Sequence, residues 1–208
     1  PDQGIVRGRE FLQPQLRFAL QFPEGWHVQN SPERVIAGES GRNSYMVLQF
    51  VNETGSNLRR IAEAEMIRAG FEVEQGIMTD VNGLEAYLGT YSQVVRELGT
   101  IIGQVVHIRL GSSIYMLGGF APVTEYQAIE RDITDSLTSF RQLTASEADT
   151  IRPSRISIYV VTEGDTWESM ASQEGTNIVS ASMLAIMNGY ALDEEPLLGD
   201  RVKIVVSE

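Results

Sequence analysis

Two dipeptides, Asn82-Gly83 and Gly111-Ser112, constrain this chain more than any other feature. Each separates two runs rich in β-branched and aromatic residues: Phe71 to Ile77 from Leu84 to Tyr91, and Thr100 to Leu110 from Ser113 to Phe120. Such two-residue loops match the right-handed twist of an antiparallel pair, so they predict two β-hairpins in succession. Other segments add strands. Leu16, Phe18, Leu20 and Phe22 alternate with Arg17, Ala19 and Gln21, the period of a half-buried strand; Pro23-Glu24-Gly25 then turns the chain toward Trp26 and Val28. Val35 to Ala37 and Tyr45 to Val51 are further short candidates.

Two helices complete the larger part. Ser56 or Asn57 caps a stripe of Leu58, Ile61, Ala62, Met66 and Ala69, and Gly70 follows where a left-handed residue ends a helix. Tyr126, Ile129, Ile133, Leu137 and Phe140 fall on one apolar stripe of a second helix. Strands in series with two helices predict an α+β domain over residues 1–143, an antiparallel sheet with packed helices. TASEADTIRP breaks every period and is polar, so residues 144–153 are expected to be a linker. Residues 154–208 then read as a small β-α-α-β domain. Ile156, Ile158 and Val160 form its first strand, and a helix capped by Thr166 runs through Gln173 with Trp167, Met170 and Ala171 inward. A second helix, Ser180 to Asn188, carries Met183, Leu184 and Met187, and a last strand carries Val202, Ile204 and Val206.

Charge and composition exclude several functions. The 208 residues carry a net charge of -12 and no Cys. Nucleic acid and anionic membrane surfaces need a cationic face, and thiolate metal sites, Cys nucleophiles and disulfides need Cys. No apolar run is long enough for a transmembrane helix. The smaller domain is the more acidic: 11 acids and 4 bases follow residue 144. A start at Pro1 rather than Met suggests a processed piece of something longer.

Catalytic patterns are sparse. His27 and His107 are the two histidines, each on an expected strand, and no HExxH places two ligands on one helical turn. Gly38-Glu39-Ser40-Gly41 is one residue short of a nucleophile elbow and reads as a loop; Asn52-Glu53-Thr54 is a glycosylation triplet by pattern alone. Glu63 and Glu65 are expected on a helix surface and Asp193-Glu194-Glu195 in a loop, solvated rather than arranged as an acid–base pair. The chain itself is therefore expected to lack catalytic residues.

Three sets of residues carry family resemblances. YVVTEGDTWESMA (Tyr159 to Ala171), Met183-Leu184 with Asn188-Gly189, and Leu198 to Ile204 resemble the opening, second helix and closing strand of a LysM domain. That resemblance implies a βααβ module that binds N-acetylglucosamine-containing glycans between two loops. The glycan-binding candidates are then Gly164, Asp165, Thr166 and Trp167 in one loop and Asn188, Gly189 and Tyr190 in the other. Trp167 stands where the family usually has Leu, which favours burial, and Tyr190 suits either sugar stacking or the edge of a core. The acidic Asp193-Glu194-Glu195 and Pro196 depart from the pattern, which leaves open a fold kept without glycan binding.

LRFALQFPEGW (Leu16 to Trp26) and ITDSLTSFRQL (Ile133 to Leu143) look like PsbP-type domains, α/β/α sandwiches that mostly serve as non-catalytic binding or assembly modules. With the Gly8 to Phe18 stretch before it and the LysM-like part after it, the whole resembles the region downstream of the catalytic domain in HtpX/BepA-type bacterial zinc metalloproteases. The resemblance implies an accessory region at the periplasm or cell envelope, with protein partners or peptidoglycan, and with zinc only in an upstream catalytic domain. The alternative is a free-standing envelope protein that holds peptidoglycan.

Overall fold

In the computed structural model, which describes residues 4–151, 154–172 and 179–207, the chain divides into two units, Pro1–Asp149 and Thr150–Glu208. The first runs β1 (Ile5–Arg7), β2 (Glu10–Gln13), β3 (Phe18–Gln21), β4 (His27–Asn30), β5 (Arg34–Gly38), β6 (Tyr45–Val51), α1 (Leu58–Arg68), β7 (Glu72–Val81), β8 (Leu84–Val95), β9 (Gly99–Leu110), β10 (Ser113–Pro122), α2 (Val123–Thr138), β11 (Arg141–Gln142) and α3 (Ala145–Thr150). Seven strands form one antiparallel sheet in the order β4-β5-β6-β10-β9-β8-β7, and β1-β2-β3-β11 form a second, smaller sheet. Both turn dipeptides sit at the tips of the hairpins they predict, with strands of ten to twelve residues. Asn82 lies at φ 50, and its side-chain amide donates to Thr138 and Phe140 carbonyls, so the first turn also caps the end of α2.

β10 is the strand on which the layers close. Ile114, Met116 and Phe120 face α1; Tyr115, Leu117 and Ala121 face α2 and the small sheet. Gly118 and Gly119 separate these sets and allow close approach on both sides. A Cβ on Gly119 would lie 2.6 Å from Ile133 of α2, and a Cβ on Gly118 or Gly103 would strike the Phe120 ring. Phe11, Phe18, Leu20, Phe22 and Phe140 join the α2 side of the core. The result is an α+β structure in which α1 packs on one face of the large sheet and α2 on the other.

Several expectations shift in detail. Leu16 is half exposed in a turn rather than in a strand, because Arg17 adopts φ 58 and gives its carbonyl to the Leu143 N–H. β3 therefore starts at Phe18. Asn57 is the cap of α1, accepting from the Arg60 N–H, and Ala69 is exposed just beyond the last turn. Phe140 is buried but lies past the end of α2. Part of the polar stretch read as linker is helical: Thr144 and Glu147 exchange side-chain and backbone hydrogen bonds in a capping box that starts α3. Arg152 and Pro153 lie outside the described residues.

The second unit comprises β12 (Ser154–Val160), α4 (Trp167–Ser172), α5 (Ala181–Met187) and β13 (Arg201–Ser207). Its core is Val161, Trp167, Met170, Leu184, Ala185, Val202 and Ile204. The Ile156, Ile158 and Val160 set lies on the exposed side. Antiparallel register pairs Ile158 with Lys203 and Val160 with Arg201, while Tyr159 pairs with the buried Val202 and Ser157 with the buried Ile204. Met183 likewise points outward, leaving Leu184 and Ala185 inside; Gln173 lies outside the described residues.

The Gly119 contact gives a direct test of this packing. Gly119→Ala should cost about 1–3 kcal/mol in denaturant-induced unfolding, the penalty for overfilling a packed core. Ile133→Ala, which removes the Cγ atoms nearest the new methyl, should therefore cost less in the Gly119→Ala background than in the wild-type chain.

Candidate functional site

The seven glycan-binding candidates come together in the second unit, and most of their polar groups are already used. Gly164 (φ 89) turns the chain out of β12. The Asp165 carboxylate accepts from the Thr162 N–H, the Thr162 hydroxyl and the Tyr159 hydroxyl, and these bonds hold its pKa below the usual carboxylate value. Thr166 exchanges hydrogen bonds with Ser169 at the start of α4. Trp167 is buried; its indole N–H donates to the Glu194 carbonyl and its backbone N–H to the Glu195 carboxylate. Asn188 clips the end of α5 to β13: its amide donates to the Leu184 and Lys203 carbonyls and its oxygen accepts from the Lys203 N–H. Gly189 follows at φ 80. The Tyr190 ring meets Trp167 edge-on at 5.1 Å between centroids, and its hydroxyl donates to Asp200. The acidic loop, expected to be solvated, is thus partly structural: two of its three residues close over the head of α4.

A second arrangement, in the first unit, was not anticipated from sequence. Cross-strand pairing lines up Arg34, Gln49, Met116, His107, Tyr87 and Met78 in one row across the α1 face of the large sheet. α1 sets two carboxylates on this row. His107 is fully buried, and its Nε2–H donates to Glu65 over 2.7 Å; Gln49 donates to the other Glu65 oxygen over 3.0 Å. Among the described residues, His107 Nδ1 has no partner. The Tyr87 hydroxyl donates to Glu63 over 2.6 Å, and Arg59 pairs with the same carboxylate. The expected solvated helix surface is therefore corrected for both glutamates. Helical periodicity located the Leu58, Ile61, Ala62 and Met66 stripe, but it carries no signal that a neighbouring Glu will meet a buried His from β9.

α1 leaves the β5–β6 side of this face open. There a cleft of about 210 Å³ lies between Glu65, Met66, Ala69 and Phe71 on one side and Ile36, Tyr45 and Val47 on the other. Met116 and Phe120 also line it; Phe120 stacks with Tyr45 and contacts Phe71. Arg34, Gln49 and Glu65 form its polar end. The cleft thus offers apolar contact area and a carboxylate that already has two donors. His27 on β4 and His107 on β9 are four strand spacings apart, about 19 Å at the usual separation. Among the described residues, no group of three or more His, Asp or Glu side chains is arranged to hold a metal ion.

Comparison with solved structures fits this architecture. Cyanobacterial PsbP (CyanoP) from Synechocystis sp. PCC 6803 superposes on 67% of this chain and 94% of its own, with a TM-score of 0.51 and 13% identity. The fold is PsbP-like. Weaker likenesses are a mutant of the protein Mog1 (TM-score 0.47, 13% identity, 64% of this chain and 94% of that one) and LpqN, described as involved in cell envelope biogenesis of Mycobacterium tuberculosis (TM-score 0.43, 12% identity, 61% and 83%). No protein-family model and no curated protein matches the sequence. In this PsbP-like frame the Leu16 to Trp26 and Ile133 to Leu143 segments supply core: Phe18, Leu20, Phe22, Trp26, Ile133, Leu137, Phe140 and Leu143 are all buried. No helix among the described residues is long and apolar enough to cross a membrane.

The Glu63–Tyr87 bond makes a pH prediction. Burial first, and then the Glu63 carboxylate, push the Tyr87 phenol up to about 12; its hydrogen bond to Glu63 is the main force holding that carboxyl below its ordinary value. A raised folded-state pKa contributes stability that is complete below the unfolded value of about 10 and is lost as pH rises through 12. The lowered Glu63 value contributes stability present above the ordinary carboxylate range and lost as pH falls through the depressed value. Tyr87→Phe should therefore remove one late phenol from an ultraviolet alkaline titration. It should also move the onset of acid unfolding to higher pH, because Glu63 loses its main support.

Proposed function

We propose that this chain is a non-catalytic accessory region of a cell-envelope zinc metalloprotease, positioning the enzyme or holding its partners through the PsbP-like unit. The observation that carries the reading is the cleft beside α1. It is lined by Ile36, Val47 and Phe71 over the buried Met66 and Phe120, and at its polar end the Glu65 carboxylate is bonded to His107 and Gln49. Apolar surface with a few prepaired polar groups suits binding better than bond cleavage. The resemblance of the Gly8 to Phe18 stretch and of the domain order to HtpX/BepA-type proteins supplies the protease context, with zinc in a catalytic domain upstream. The envelope location follows from the same resemblance.

For the second unit the reading is a LysM-like module whose loops fasten its own fold. Asp165, Asn188 and Tyr190, the polar groups a glycan would seek, each satisfy internal partners, and the Glu194–Glu195 segment is bonded to Trp167 where the two candidate loops meet.

Reading the coding sequence upstream of Pro1 tests the assignment. The expected result is an HExxH helix with a further Glu ligand after it, and the isolated chain supplied with zinc should leave an unfolded polypeptide uncut. A signal peptide ending at Pro1, together with saturable binding of N-acetylglucosamine oligomers that Tyr190→Ala weakens, would overturn it in favour of a free-standing peptidoglycan-binding protein.

A further inference from the structure

We propose that the outer edge of β7 is a docking site for an extended segment of another protein, one with uncharged β-forming residues at its centre and basic residues on its flanks. The edge is long and open. β7 has ten residues and, among the described residues, pairs with β8 alone, whereas the opposite edge of the same sheet, β4, has four. In an antiparallel pair alternate residues direct their N–H and C=O groups away from the partner strand, so one side of β7 presents a free hydrogen-bonding ladder. Among the described residues no backbone group of 74–79 bonds to anything on that side.

The edge is guarded at its two ends and unguarded between them. The bulge between Val73 and Gln75, with Glu72 and Glu74, protects the start; Asp80 protects the end. Gly76-Ile77-Met78-Thr79 carries no charge and no proline. Ile77 is 64% exposed and Met78 45% exposed, on opposite faces: Ile77 stands opposite Leu88 on the α2 side and Met78 opposite Tyr87 on the α1 side. An added strand would therefore gain apolar contact on both faces as well as the ladder.

Charge selects the occupant. Three acids and no base lie on β7. A second copy pairing antiparallel about Ile77 would set Glu74 opposite Asp80, like charges in cross-strand register, in a chain of net charge -12. An incoming strand with Arg or Lys flanking an apolar centre meets attraction at the same places. The inference concerns a surface separate from the cleft and does not depend on the metalloprotease reading.

The test uses the full chain and capped ten-residue peptides with a Val/Thr centre and Arg flanks. Saturable binding is expected, with amide shifts and slowed hydrogen exchange concentrated at Gly76 to Asp80. Replacing the flanking Arg by Glu, or N-methylating alternate peptide amides, should weaken binding at least tenfold, as should Ile77→Lys or Glu72→Lys in the protein. Both positions are exposed, and a thermal melt of each variant verifies folding. Equal binding of the N-methylated peptide, shifts confined to residues outside β7, or no binding at millimolar peptide would overturn the proposal. So would sedimentation showing a dimer that Ile77→Lys dissolves, since the edge would then serve a second copy.

Discussion

The close packing on both faces of β10 is the constraint from which the first unit is built. A central strand covered by helices on both sides must place large side chains at some positions and leave space at others. Gly118 and Gly119 provide that space on successive residues, and hence on opposite faces. On one side α2 brings Ile133 down onto the sheet; on the other the Phe120 ring lies over Gly118 and Gly103. The same device continues outward along the α1 face, where Tyr91 covers Gly89 and Tyr87 covers Gly76. Aromatic rings lying over glycines bring α1 and its carboxylates within reach of the row that holds His107. The candidate site thus follows from how the sheet is surfaced.

That row also explains why α1 carries glutamates toward the sheet. His107 is fully buried, so its Nε2–H needs an acceptor, and Glu65 supplies one. Leaving the N–H unmade would cost about 1–3 kcal/mol, comparable to a substantial fraction of a small domain's stability. Glu63 does the same for the Tyr87 hydroxyl. α1 lies over β7, β8 and β9 while Glu65 also reaches Gln49 on β6, and the β5–β6 side beyond that bond stays open as the cleft. One set of hydrogen bonds therefore both stabilises the helix position and shapes the surface available to a partner.

Local chemistry made much of this legible in sequence. Asn82-Gly83 and Gly111-Ser112 specify their hairpins because few other residues accept the backbone angles of such tight turns, and the Tyr126 to Leu137 stripe specifies α2 because only one helical face carries apolar residues. Periodicity identifies an element, but not always the face it buries. In β12 the apolar trio Ile156, Ile158 and Val160 is exposed, since the Val202 and Ile204 register assigns the inner face to Tyr159 and Ser157. The Glu65–His107 pair was illegible for a related reason. Its partners are 42 residues apart and meet only after β8, β9 and α1 have all taken their places. The capping box at Thr144 and Glu147, by contrast, was written in the chain as Thr-x-x-Glu and shortens the irregular segment.

The second unit shows why sequence pattern alone leaves its role open. Asp165, Asn188 and Tyr190 are the residue types that bind sugars through carboxylate, amide and aromatic hydroxyl, and they are equally the types that tie loops. What separates the two roles is whether lone pairs and protons remain unused. Asp165 gathers three donors, and Asn188 uses both its amide nitrogen and its oxygen on the last strand and helix. Tyr190 has committed its hydroxyl to Asp200 and its ring to Trp167. All three donors to Asp165 reach one oxygen, Oδ2, whereas the Trp167 N–H is held by the Glu195 carboxylate. These bonds tie the loops of the second unit to its helices and last strand, and so fix the geometry that any ligand would meet.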